Sequence, residues 1–140
     1  HVDVLHTIKV EGAKAIQAHV VSSMMDSTDL AAVYDDKFRL VSFIPADISS
    51  RPDKEFWTPA VYSDQFNVRF ANALVTVTKV KEKLNGISEE EAAQLTGQIM
   101  CFPSQKMEGK LDCTVWDEPS DPFGNNRSEG FKIDKIRVLK

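Results

Sequence analysis

Short runs of alternating apolar and polar residues recur along this chain, and they restrict it to a fold rich in β-strands. The alternation is clearest in Val2–Val10, Lys37–Ile44, Lys110–Trp116 and Phe131–Lys140. A period of two is typical of a strand with one buried face. A chain of 140 residues can bury a sizeable core in one unit. We therefore predict a single globular domain over residues 1–140.

A helix signal interrupts these strands. Ser88 and Glu91 have the spacing of a capping box, in which each side chain accepts a hydrogen bond from the backbone of the other. The apolar residues that follow at helical spacing are Ala92, Leu95, Ile99 and Met100. We predict one main helix over residues 88–100. Strands, a helix and two further strands are the order of a small antiparallel Greek-key barrel, so the predicted fold is α+β, β-rich and OB-like.

The last segment, Gly130–Lys140, has the sequence GFKIDKIRVLK. It resembles the final strand of the small OB-type single-stranded DNA-binding proteins of filamentous phages, which has a similar apolar-acid-basic-apolar-basic order. The resemblance covers about a tenth of the chain. It implies an OB fold, a phage origin and binding of single-stranded DNA, and it implies no binding residue outside this strand.

The charge distribution favours a local basic surface on an acidic body. The chain has a net charge of -4, which argues against coating duplex DNA by bulk charge. Single-strand binding needs cations for the phosphates and aromatic faces for the bases. The residues that we predict to bind nucleic acid are Arg39, Phe43, Lys54, Phe56, Trp57, Lys79, Lys81, Lys135 and Arg137. Alternating lysines are equally typical of a solvated edge strand, where they oppose aggregation.

The two cysteines, Cys101 and Cys113, show no metal-ligand spacing. Cys113 alternates with apolar neighbours, which indicates a buried thiol. A disulfide is possible because Pro103–Lys110 could turn the chain back. We expect reduced thiols and a cytoplasmic protein, since few small domains with only two cysteines need the bridge.

Other functional classes find less support in the sequence. No apolar run approaches the roughly 20 residues of a membrane span, so we predict no membrane partner. An oxygen-rich loop does not have the spacing of an EF-hand, and we predict a solvated loop without metal or cofactor. Its polar residues are Asp117, Asp121, Asn125, Asn126 and Glu129. No catalytic motif is present, and we predict that the chain is not an enzyme.

The leading hypothesis is a non-catalytic protein that binds single-stranded DNA or RNA. The main alternative is a protein-interaction or structural module, such as a phage or virus assembly component or an inhibitor of a host enzyme. A third hypothesis is a barrel that binds a carbohydrate or small ligand on Trp57 or Trp116. A homodimer, the strand order and the structure of residues 45–59 are left open by the sequence.

Overall fold

The computed structural model describes residues 2–26, 28–72, 80–116 and 128–140. Within these ranges the chain forms ten strands, a five-residue α-helix and a 3-10 turn at Ile48–Ser50. The helix is α1 (Glu89–Ala93). The strands are β1 (Val2–Lys9), β2 (Ala15–Met24), β3 (Asp29–Tyr34), β4 (Leu40–Phe43), β5 (Phe56–Trp57), β6 (Gln65–Asn72), β7 (Val80–Ile87), β8 (Gln98–Pro103), β9 (Leu111–Trp116) and β10 (Gly130–Leu139).

The strands form two sheets that pack face to face. The four-stranded sheet has the order β1-β6-β3-β4, and the six-stranded sheet has the order β5-β2-β10-β8-β9-β7. All pairs are antiparallel except β8 with β10. One apolar cluster takes side chains from the inner faces of both sheets, including Phe66, Val68 and Phe70 from β6 and Val20 and Ile133 from β2 and β10.

Aromatic contacts join the two sheets across the core. The ring of Phe70 in the four-stranded sheet lies 5.8 Å from Phe131 and 6.2 Å from Trp116, measured between centroids. Trp116 is 5 % exposed, so it has no free face on which a sugar or base could stack. The hypothesis of a stacking surface at Trp116 is therefore wrong.

The β-rich class is confirmed, whereas the OB-like barrel is not. The described residues form two separate sheets and no closed barrel. The reason is visible at the first turn, where β1 and β2 are consecutive in sequence but belong to different sheets. The Gly12 turn between them carries the chain from one layer to the other.

The predicted helix over residues 88–100 is wrong after Ala93. Its capping box is confirmed, because the Ser88 hydroxyl accepts the Glu91 N–H and the Glu91 carboxylate accepts the Ser88 N–H. The helix ends at Ala93, and Gln98–Pro103 is a strand. Tertiary packing overrides the helical spacing there, since consecutive residues of β8 are buried on opposite faces of the sheet. No helix in the described ranges is long and apolar enough to cross a membrane.

The expectation of reduced thiols is also wrong. Cys101 and Cys113 lie directly opposite each other in the antiparallel β8–β9 pair and form a disulfide. Their Cα atoms are 4.1 Å apart, so the sheet register alone brings the two residues within bonding range. The predicted burial of Cys113 is confirmed at 3 % exposure.

The inner face of β1 carries a histidine that the core keeps neutral. The His6 ring is stacked on Phe102 with centroids 3.7 Å apart, and its buried Nε2 has no hydrogen-bond partner among the described residues. Burial lowers the pKa of His6, and the Asp112 carboxylate opposes this only in part. At a pH near 6.5, the ordinary pKa of His6, the unfolded chain therefore binds more protons than the folded chain. His6 thus lowers the free energy of unfolding as the pH falls through that value.

The lowered pKa of His6 predicts that the free energy of unfolding depends on pH, and that His6→Phe should reduce this dependence. Phenylalanine at position 6 would keep the stacking on Phe102 and has no group to protonate. We expect the native protein to lose more free energy of unfolding than His6→Phe when the pH is lowered from about 7.5 to about 5.5. Urea unfolding of both proteins at the two pH values measures the difference, and equal losses would contradict the assignment.

Candidate nucleic-acid interface

Irregular pairing between β2 and β10 gathers polar side chains on the outer face of the six-stranded sheet. Ser22 pairs with Lys132 and His19 pairs with Lys135, but Val21 and Asp134 have no partner in the register. Such bulges break the strict alternation of side chains. As a result the consecutive residues Asp134 and Lys135 both lie beside His19 on the outer face.

Trp57 completes this surface from the edge strand β5, where it pairs with His19. The Arg137 guanidinium carbon lies 4.3 Å from the centroid of the Trp57 ring, and the Lys135 Nζ lies 5.9 Å from it. The His19 ring is 4.9 Å away. Three segments that are distant in sequence therefore form one surface of His19, Trp57, Lys135 and Arg137, which we call the Trp57 face.

The short strand β5 is held in place by its neighbours on β2. The Ala18 N–H donates to the Thr58 hydroxyl at 3.0 Å, and the Thr58 N–H donates to the Ala18 carbonyl at 2.9 Å. Two further backbone hydrogen bonds join Ile16 and Val61. The segment from Trp57 to Val61 thus runs along β2, which fixes the position of the tryptophan.

His19 is the buried member of the Trp57 face and links β10 and the segment before β5 to β2. Its ring is 4 % exposed, with Nδ1 2.5 Å from Asp134 Oδ1 and Nε2 2.7 Å from Glu55 Oε2. Both ring nitrogens thus face carboxylate oxygens. The Asp134 side chain is only 11 % exposed, whereas the Glu55 side chain is 46 % exposed, so Glu55 is an exposed charge of this region together with Lys135 and Arg137.

Tyr62 extends the face beyond Trp57. Its side chain is 84 % exposed and borders a shallow pocket of about 260 Å³ with Gln17, Arg137 and Leu139. Lys14 lies at the same end, because its N–H donates to the Leu139 carbonyl at 2.7 Å. The sequence prediction missed His19, Tyr62 and Lys14. A signal for Tyr62 existed in its position five residues after Trp57 in a proline-containing segment.

The structure brings together only part of the predicted set. Trp57, Lys135 and Arg137 meet across β2, which separates β5 from β10, whereas Phe56 packs against the core on the inner face. The Arg51 guanidinium lies 5.3 Å from the Phe56 ring centroid. Lys54 is exposed in the turn that precedes β5.

The remaining predicted residues lie elsewhere. Arg39 and Phe43 belong to the β3–β4 region of the other sheet, where Arg39 Nε is 2.8 Å from Asp35 Oδ2. Lys81 is on β7, five strand spacings from β5 and hence about 24 Å away. Lys79 lies outside the described residues. The members of the predicted set whose positions are described therefore do not form a single track.

A groove adjoins the Trp57 face on the same side of the sheet. Two neighbouring pockets of about 490 and 390 Å³ share Ser22, Ala93 and Lys132. Lys132 crosses between them and donates from Nζ to the Ala92 carbonyl of α1 at 2.6 Å. Burial lowers the pKa of Lys132, with Glu129 opposing this in part. Lys132 is thus anchored to α1 and is not one of the exposed cations of the C-terminal strand.

The residues Asp117, Asp121, Asn125 and Asn126 of the oxygen-rich loop lie outside the described residues. In the part of the chain that is described, no group of three or more histidine, cysteine, aspartate or glutamate residues could hold a metal ion.

Comparison with known proteins does not add to this geometry. No protein-family model matches the chain, and no curated protein or solved structure matches it.

Proposed function

We propose that this chain is a non-catalytic binding protein for single-stranded DNA or RNA, and that the Trp57 face is its binding surface. The observation that supports the proposal is the contact of Trp57 with Arg137 and Lys135, which places an aromatic ring beside two cations. Single-strand binding proteins combine these two elements, since bases stack on aromatic rings and phosphates bind cations.

In the proposed mechanism the bases of the ligand contact aromatic rings and its phosphates contact cations. Trp57 and the exposed ring of Tyr62 would each hold a base, and Arg137 between them would hold the phosphate that joins these bases. Lys135 and Lys14 would bind the flanking phosphates. Arg137 also stacks on Trp57, and its planar guanidinium can bind a phosphate with two N–H groups at once.

The resemblance of Gly130–Lys140 to the last strand of phage single-stranded DNA-binding proteins agrees with this function, because Lys135 and Arg137 are in that segment. The proposal adopts the binding of single-stranded DNA that this resemblance implies, but it does not adopt the OB barrel. A phage origin remains a prediction, whereas the predicted cytoplasmic location rested on reduced thiols. The Cys101–Cys113 disulfide favours an oxidising compartment, in which such bridges persist.

Fluorescence anisotropy of a labelled single-stranded oligonucleotide tests the proposal. We expect Lys135→Gln plus Arg137→Gln to weaken binding at least tenfold at about 50 mM salt. The slope of log affinity against log salt concentration should decrease by about 1.4, because each lost contact with a single strand contributes about 0.7. Trp57→Leu should weaken binding by about 1–3 kcal/mol if one base stacks there.

The matched control is Lys81→Gln plus Lys83→Gln on β7, which removes the same charge from exposed positions at the far edge of the sheet. This pair should leave the salt slope unchanged. A sulfated polysaccharide serves as a competitor that has charge but no bases. Equal loss in both double variants, or equal affinity for the polysaccharide, would refute stacking at the Trp57 face.

A second candidate function is that of a protein-interaction module. The observation that favours it is a set of exposed apolar side chains on the four-stranded sheet, which includes Leu5, Leu40 and Phe43 at 50 %, 52 % and 57 % exposure. Phe38 in the adjoining turn is 55 % exposed and has a φ of 58°, a strained conformation for a bulky residue. Retention of a purified partner by the native chain and not by Phe43→Glu would support this candidate.

A further inference from the structure

Glu55 is an acidic residue beside the surface that we propose for a polyanion. Its side chain is 46 % exposed, and its Oε2 atom lies 2.7 Å from His19 Nε2. Trp57 contacts the same histidine ring, with the two ring centroids 4.9 Å apart. Glu55 immediately precedes β5, and its contact with His19 places its side chain on the same side of the sheet as Trp57. The carboxylate therefore borders the ring on which a base would stack.

The strand register places Glu55 and Arg137 on opposite sides of Trp57. The chain before Trp57 runs towards the C-terminal end of β2, because β5 and β2 are antiparallel, and Glu55 lies in that direction. Arg137 pairs with Gln17, two residues before the β2 partner of Trp57, and so lies in the other direction. Lys135 pairs with the same β2 residue as Trp57 and lies level with the ring. Trp57 thus has a carboxylate on one side along the sheet and a guanidinium on the other.

This separation of charge determines how a nucleotide would lie on Trp57. Its phosphate would contact Arg137, because a guanidinium attracts a phosphate and the Glu55 carboxylate repels it. The base stacked on the ring would then extend its far edge, the Watson–Crick edge, towards Glu55. In a single strand that edge is unpaired and open to hydrogen bonds with the protein. Glu55 is therefore placed to select a base by its hydrogen-bonding groups.

The hydrogen-bonding groups of a carboxylate favour one base over the others. Both carboxylate oxygens only accept, and the contact with His19 uses one of about four acceptor sites on Glu55. Guanine alone has two adjacent N–H donors on its Watson–Crick edge, at N1 and at the N2 amino group. Adenine and cytosine have one amino group beside an acceptor nitrogen, and thymine and uracil have one N–H between two carbonyl oxygens. Because carboxylate oxygens repel these acceptors, guanine is the best partner for Glu55.

We propose that Glu55 makes the Trp57 face selective for guanine, by accepting hydrogen bonds from guanine N1–H and the N2 amino group with its two oxygens. This selectivity rests on the proposed function, and it names the nucleotide that the same site prefers. The His19 ring supports the role of Glu55, because its other nitrogen lies 2.5 Å from Asp134 Oδ1 and the ring is thereby fixed from both sides. A carboxylate that is already held in place loses less side-chain freedom when it binds a base.

Fluorescence anisotropy with labelled thymine oligonucleotides of about six nucleotides tests the proposal. One oligonucleotide has only thymine, another has one central guanine, and a third has inosine at that position, which keeps N1–H and lacks the N2 amino group. We expect the native protein to bind the guanine oligonucleotide at least about fivefold more tightly than the all-thymine one, and inosine to lose most of this gain. Glu55→Gln should lose the preference for guanine and keep the affinity for thymine, because it replaces one of the two acceptors by a donor.

Asp53→Asn is the matched control, because it removes the same charge from a neighbouring side chain that is 62 % exposed. It should change all three affinities by a common factor and keep the preference for guanine. Equal affinity of the native protein for all three oligonucleotides would refute the role of Glu55 and leave the proposed function in place, since binding itself would be present. A preference for guanine that persists in Glu55→Gln would refute it in the same way. Binding of none of the oligonucleotides would refute both the selectivity and the proposed function.

Discussion

Replacement of Gly130 by alanine is expected to destabilise the protein by at least about 3 kcal/mol, which is among the largest effects of a single substitution. Gly130 begins β10 with a φ of 76°, a left-handed conformation that costs other residues about 1–2 kcal/mol. It also pairs with Ile99 in the parallel β8–β10 contact. A Cβ atom at position 130 would collide with the Ile99 carbonyl oxygen, and backbone cannot move aside as a flexible side chain can.

Gly12→Ala separates the two causes. Gly12 has a φ of 79°, close to that of Gly130, but no atom lies within 4 Å of the position that its Cβ would take. We expect this control to cost only about 1–2 kcal/mol. Urea unfolding of both variants measures the difference, which is the contribution of the close approach to β8. Values within about 0.5 kcal/mol of each other would contradict the close approach.

The second large effect concerns the disulfide. Cys101→Ala plus Cys113→Ala is expected to reduce the free energy of unfolding by about 3 kcal/mol, since the bridge closes a short loop in the unfolded chain. The two cysteines are 12 residues apart in sequence and buried in the cluster under α1. In a domain of this size the loss corresponds to a melting temperature lower by about 10 °C.

Reduction of the native protein is the control for this prediction. A reducing agent should lower the melting temperature of the native protein towards that of the double variant and leave the double variant unchanged. A loss below about 0.5 kcal/mol would mean that sheet pairing alone holds β8 against β9. The result also bears on location, because a bridge that contributes this much stability suits a protein of an oxidising compartment.

Much of the strand content could be predicted from the sequence, because it depends on local alternation. Val2–Lys9, Leu111–Trp116 and Gly130–Leu139 lie within a residue of their predicted ends. The capping box at Ser88 was also readable, because its two hydrogen bonds join residues only three positions apart. The length of the helix was not, since Ile99 and Met100 suit a helix stripe as well as the two faces of a strand.

The individual residues Trp57, Lys135 and Arg137 of the candidate site could be predicted from the sequence, but the contacts between them could not. Trp57, Lys135 and Arg137 were identified by residue type, and the alternation of the last strand indicated that the two cations share a face. Their contact with Trp57 depends on β5 joining β2 and on β2 joining β10, pairings between residues that are far apart in sequence. His19 was missed for the same reason, because Asp134 is 115 positions away and reaches it through a bulge.

The sequence by itself determined the class of the fold, most strand positions, the start of the helix and the residue types available for a basic and aromatic surface. These properties follow from short-range periodicity and from hydrogen bonds within a few residues. Tertiary structure alone decided that the strands form two sheets, that Cys101 faces Cys113, and that Arg39 and Phe43 are separated from Trp57. Strand order and register are set by which apolar faces bury one another, and that choice involves the whole chain at once.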